Sequence, residues 1–240
     1  MKPRIGIIIV VILLLGIQAA GCGNSATRTV SNNTSTNTTL PANTPSTATP
    51  LTSPTMTYPT SVNSATFKSA NGLSLSLSLD STTYQPGQEI SIFIDETNTL
   101  LKTNDVPVSD QWPLSGLSVG PCGTEGANYG IAVFRGYYTS ADVSNATPLI
   151  LYNPYVVVQC PPPLIFPTYN FKPLSDIVTI FISYPTKSSL TFEMNTEIQI
   201  EGYWTSSPTA TLTNFTPGVY TIAGGDEWGT LVILHFTVTE

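Results

Sequence analysis

Fifteen carboxylates, three cysteines and a single histidine are the side chains of this 240-residue chain best suited to proton transfer, nucleophilic attack or metal binding. The histidine, His235, stands in LVILHFTV, where period-two alternation gives it a face with Leu231, Ile233 and Thr237, opposite Leu234 and Phe236. This predicts a half-buried strand histidine with one satisfied ring nitrogen. As a general base it would need a Ser or Cys nucleophile, and the chain contains no G-x-S-x-G elbow. Copper sites of the cupredoxin type need two histidines with a cysteine, and zinc needs three or four N, S or O ligands. One histidine serves neither, so no metal site and no cofactor is expected. Six of the acids, Asp95-Glu96, Asp105, Asp110 and Asp226-Glu227, fall in segments that read as turns. A pair of carboxylates about 5 Å or 6.5–9.5 Å apart can cut a glycosidic bond, but positions along a chain give no distances. The run DETNTLLKTND from Asp95 carries oxygen ligands without the spacing of an EF-hand. No residue is therefore assigned a catalytic role.

The thiol with the most informative surroundings is Cys22. Met1-Lys2-Pro3-Arg4 is a short basic segment, Ile5–Ile17 is apolar throughout, and Gln18-Ala19-Ala20-Gly21 supplies the small residues a signal peptidase requires. The apolar run is shorter than the roughly 20 residues that span a bilayer. Ala19-Ala20-Gly21-Cys22 resembles the lipobox of prokaryotic lipoproteins, with Ala19 where Leu is commonest, and the resemblance covers residues 1–22. It implies a signal peptide of residues 1–21 and a lipid anchor on Cys22, whose two or three acyl chains suffice for stable attachment. An uncleaved signal anchor, or ordinary cleavage with Cys22 incidental, is the alternative. Export leaves Cys122 (GPCGTEG) and Cys160 (VVVQCPPP) as an even pair, which predicts a disulfide between them. Their setting has no CxxC spacing and no metal-ligand partners.

Trp112, Tyr137, Tyr138 and Tyr155 are the candidates for a binding patch, within a central region dense in aromatic residues. Tyr and Trp offer a flat apolar face with a polar tip, suited to a sugar or protein surface. The bland alternative is that they fill an enlarged core. In AVFRGYYTS, alternation puts Tyr137 and Tyr138 on opposite faces of a strand.

The elements that must carry these groups begin late in the chain. Residues 22–64 are mostly Thr, Ser, Asn and Pro, too poor in apolar side chains to offset the entropy of ordering, so a disordered stalk is predicted. From Ala65 the pattern becomes period two. Leu73, Leu75, Leu77 and Leu79 alternate with polar residues, Tyr84–Gln88 reads as a type II turn, and Ile90, Ile92 and Ile94 face inward on a second strand. Pro217-Gly218 opens another strand, Gly224–Glu227 turns it, and Trp228–Thr239 returns. No helical repeat is evident. Alternating strands with Pro/Gly turns predict an all-β, antiparallel sandwich over residues 65–240.

The stretches YQPGQEISIFI and TPGVYTI…GTLVILHFTV resemble bacterial and archaeal Ig-like surface domains. The resemblance implies a single Ig-like sandwich with an enlarged central region, roughly Thr97 to Thr191. Tyr220 would then stand at a tyrosine corner, although no upstream acceptor for its hydroxyl can be named from the sequence.

Charged residues are only 10% of the chain, against about 25% in ordinary soluble proteins. The net charge of −7 becomes −9 once Lys2 and Arg4 leave with the signal peptide, since 8 basic residues fall to 6 against 15 acids. That surface argues against nucleic acid as a partner. The expected protein is a membrane-anchored, extracytoplasmic module at the cell surface that binds a protein, glycan or wall component without catalysis. A polysaccharide hydrolase using paired carboxylates, and a proteinase-inhibitor-like or envelope scaffold domain, are the alternatives.

Overall fold

The structure is a computed structural model that describes residues 62–124, 127–160, 166–182, 188–206 and 209–240. These residues belong to one unit, Met56–Glu240. The signal segment, Cys22 and nearly all of the stalk lie outside them.

The first strand, β1 (Ser64–Lys68), pairs antiparallel with β2 (Leu73–Leu79), which pairs with β4 (Ile90–Asn98). The four leucines of β2 and the three isoleucines of β4 are buried on one face, as their alternation predicts. Between these strands the chain reverses at Gln85–Gln88, where the Gln88 amide donates to the Gln85 carbonyl (3.1 Å) and Gly87 holds a φ of +77° that other residues rarely adopt. The reversal leads through the short β3 (Thr83–Tyr84).

Further along come β5 (Asn104–Pro107), β6 (Tyr129–Arg135), β7 (Thr168–Phe171), β8 (Ile177–Ile182), β9 (Ser188–Glu193), β10 (Asn195–Ile200), β11 (Gly202–Trp204) and β12 (Leu212–Asn214). The chain finishes with β13 (Gly218–Asp226) and β14 (Leu231–Val238). One sheet has the order β1-β2-β4-β10 and a second the order β3-β14-β13-β6. All pairings within them are antiparallel except that of β3 with β14. The two sheets bury their inner faces against each other in a common core, closely enough that a Cβ placed on Gly224 of β13 would touch Ile94 and Leu77 at 3.4–3.5 Å. The fold is thus the expected all-β, antiparallel sandwich.

The central surplus is built as a third sheet, β5-β7-β8-β9, whose Val106, Tyr169, Phe171, Val178 and Ile180 join the same core. The outer face of the β6-β13-β14 sheet is covered as well. Ala132, Phe134 and Ala223 are buried there under Leu114, Leu117 and Val143. With both faces covered, β6 reads as a continuous apolar run instead of an alternating one. The last hairpin departs from expectation in one respect. β13 runs on through Gly224 and Gly225 to Asp226, and the chain turns two residues later than the glycine pair suggests, because those glycines are packed strand residues facing Ile94, Leu77, Pro113 and Leu117.

Candidate functional site

Of the acids expected at turns, Glu96 and Asp226 are strand residues sealed in the core and Glu227 is buried in the β13–β14 turn, whereas Asp105 and Asp110 are exposed. Alternation along β4 that points Ile90, Ile92 and Ile94 inward carries on to Glu96 and Asn98, and both have no exposed surface. Asn98 is satisfied there: its amide donates to the Lys102 and Lys172 carbonyls (2.9 Å each), and its oxygen accepts from the Leu100 amide (2.9 Å). Glu96 has no such help. On the facing sheet, Tyr220, Ile222 and Gly224 set the inward register of β13, which aims Asp226 at the same end of the core, directly opposite Tyr129 of β6. Asp226 is also fully buried, and its Oδ1 accepts from the amides of Trp228 (2.9 Å) and Thr230 (2.8 Å), closing the turn into β14.

The two carboxyls act directly on one another. Yet both oxygens of Glu96 and the Oδ2 of Asp226 lack any partner in good hydrogen-bond geometry among the described residues. Burial, then the charges of Asp226, Asp95 and Glu227, push the Glu96 carboxyl well above the usual carboxylate range. Asp226 is raised by its burial too, but the Thr230 and Trp228 groups that bond its oxygen favour its anion and oppose the shift.

Glu227 extends the cluster. Burial raises it to about 7, against the bond that its Oε1 accepts from the Ser109 amide (3.0 Å). The turn that carries it is a junction. The Glu227 amide donates to the Asn128 carbonyl, the Gln111 amide donates to the Glu227 carbonyl, and the Trp228 indole donates to the Pro107 carbonyl (2.7 Å). The Trp228 ring rests on Tyr169 and Phe171 of the third sheet. Nearby, Asn128 is fully buried with neither side-chain amide atom bonded. Among the described residues, no three His, Cys, Asp or Glu side chains are grouped to hold a metal ion. A carboxyl without exposed surface cannot reach a glycosidic oxygen, and neither Glu96 nor Asp226 has any.

The aromatic candidates are dispersed. Trp112 and Tyr138 pack on the apolar layer over β6 and β13, with Tyr138 edge-on to Phe134 at 6.1 Å. Tyr137 stacks on His235 at 3.9 Å between ring centres. The strand reading of Tyr137 and Tyr138 does not hold, since β6 ends at Arg135 and Gly136, at φ +118°, takes the chain out of the sheet. His235 is the half-buried strand histidine expected, its Nε2 donating to the Tyr138 carbonyl (2.8 Å).

Tyr155 lies elsewhere, in a run where Tyr155, Val156, Val157 and Val158 are all exposed, Val157 almost completely (97%). Cys122 and Cys160 are disulfide-bonded with Cα atoms 5.6 Å apart, which ties the end of that run to the 117–123 loop. Beside the bond is an open groove of about 320 Å³, lined by Leu117, Pro121, Pro148, Leu149, Leu151 and Tyr152. Compared with known proteins, the chain matches no family model and no curated protein.

Proposed function

We propose that this protein is a lipid-anchored, extracytoplasmic surface module whose Ig-like sandwich binds a protein, glycan or wall component and catalyses no reaction. The observation that carries the reading is the exposed run Tyr155–Val158. Four consecutive apolar side chains in solvent are unfavourable for a chain with nothing to bind. The disulfide at Cys160 restrains one end of the run, which lowers the entropy a partner must overcome. No charged residue occurs between Asp142 and Lys172, so this part of an acidic protein is suited to an uncharged partner.

Two further features support the reading. The carboxyls closest to a hydrolase pair, Glu96 and Asp226, are sealed inside the sandwich. The Ig-like resemblance gains from the Tyr220 hydroxyl, which donates to the Thr216 carbonyl at 2.9 Å, as a tyrosine corner requires. Lipidation at Cys22 and a stalk up to residue 64 would then hold the module off the membrane.

The test is retention of the purified full chain on immobilised wall polymer, surface glycan and surface-protein fractions. Substituting Tyr155→Ser together with Val157→Ser should weaken retention at least tenfold, as loss of a central apolar anchor does. Release of reducing ends from a polysaccharide by the wild-type chain would replace this reading with the hydrolase one.

A further inference from the structure

The buried carboxyls are costly to keep, and nothing in a binding role at the Tyr155 run uses them. Glu96 of β4 and Asp226 of β13 come from opposite sheets, are both fully buried, and each stands two residues beyond the place where Ile94 and Gly224 face each other across the core. Asp226 spends one oxygen on the β13–β14 turn, while its other oxygen and both oxygens of Glu96 are buried without a hydrogen-bond partner among the described residues. Two anions in this position would repel across the sandwich without water to screen them. One proton changes the sign of the interaction, because a neutral carboxyl donates to a carboxylate in a strong charge-assisted bond.

We propose that Glu96 and Asp226 form a proton-held latch between the two sheets, closed while one proton is shared and sprung when that proton is lost, so that the domain is tightest in an acidic medium.

Among the described residues, no opposing charge acts on Glu96 that could take over from the proton. From β4 the neighbouring group is Asp95, which accepts from the Thr97 hydroxyl (2.6 Å). From β6 comes Tyr129, whose hydroxyl is bonded to Thr196 of β10 (2.8 Å) and whose ionisation burial pushes up to about 12. The β13–β14 turn contributes Glu227, and the segment before β8 contributes Asp176, which acts on Asp95 and Tyr129. From β7, Tyr169 faces Glu227 and is raised further still by burial. The charged groups acting on Glu96 are thus all acidic.

The linkage has a definite sign. The folded state keeps a proton on Glu96 that the unfolded chain gives up near pH 4.3. The stabilisation is complete below that pH and declines as pH rises, until Glu96 ionises in the folded protein. Glu227 adds to the same trend only up to about pH 7.

The experiment is thermal unfolding of the full chain from pH 4 to 9, for wild type, Glu96→Gln and Asp226→Asn, each with and without calcium or a chelator. In wild type, the folding equilibrium should weaken by about tenfold per pH unit for the latch proton, a fall of about 3–5 °C in Tm per unit. Glu96→Gln, which donates at every pH, should flatten that slope. Equal slopes in wild type and Glu96→Gln would overturn the latch, as would a chelator-sensitive rise in wild-type Tm with calcium at pH 8, which would make the gap a cation site. If Glu96→Gln does not fold, infrared spectroscopy of the wild-type protein decides. A protonated-carboxyl band at pH 7 that survives Glu227→Gln and disappears on alkaline titration together with protection of the Trp228 and Thr230 amides supports the latch. Absence of that band at pH 7 rejects it.

Discussion

Tyr220 has no exposed surface, stacks on Phe236 with ring centres 5.0 Å apart, and donates its hydroxyl to the carbonyl four residues behind it. Removing only the oxygen tests that bond with the packing intact. Tyr220→Phe should cost about 1–2 kcal/mol, read as a lower urea midpoint at unchanged slope, because the Thr216 carbonyl loses a partner in a partly buried corner. A loss below about 0.5 kcal/mol would mean that water replaces the hydroxyl and that the corner is not a tie. The step Pro217-Gly218-Val219-Tyr220 is legible in the sequence. Its acceptor is not, because the partner is set by the turn's backbone path and not by any side chain. Glu96 shows the reverse case. Period two continues from Ile90 through Ile94 to Glu96 and Asn98, and following it would have placed both inside. The polar types in DETN suggest a turn instead, and at this point pattern outranks residue type.

Among the elements, hairpins with short connections are the legible ones. The β2 and β4 strands, the Gln85–Gln88 reversal and the pairing of β13 with β14 all follow from alternation and from Pro or Gly at the turn. The neighbours of β6 and the third sheet do not, since β6 meets β13 across more than eighty residues and β5 meets β7 across more than sixty. Such pairings depend on what else needs covering. The Cys122–Cys160 bond is the device that fixes this non-local region, closing a loop of 38 residues. Replacing both cysteines by Ala should lower stability by up to about 4 kcal/mol on the chain-entropy account, roughly 8–16 °C in Tm. Retention through Tyr155–Val158 should weaken as well, since the end of that run is no longer pinned. If unfolding moves and retention does not, the bond braces the core alone and the run finds its binding shape unaided.

At the scale of the whole molecule, anchoring and folding should separate cleanly. The sandwich has its own core, to which every described sheet but the small β11-β12 pair contributes buried residues. In the proposed reading, attachment depends on the N-terminus and stability on this core. Cys22→Ser removes the only thiol available to a lipid while leaving the apolar run Ile5–Ile17 in place. The variant should move from the membrane to the soluble fraction on cell fractionation and keep the wild-type Tm, because two acyl chains hold a protein to a bilayer and a cleaved chain without them has nothing apolar enough to do so. A Cys22→Ser chain that stays with the membrane and retains the mass of Met1–Gly21 would make the apolar run itself the anchor, in the manner of an uncleaved signal. A change in Tm would mean that the N-terminal residues pack on the sandwich. Either result would alter where the Tyr155 run is presented, since the 42 residues from 23 to 64 reach on the order of 35 Å as a coil and far less if part of them is docked.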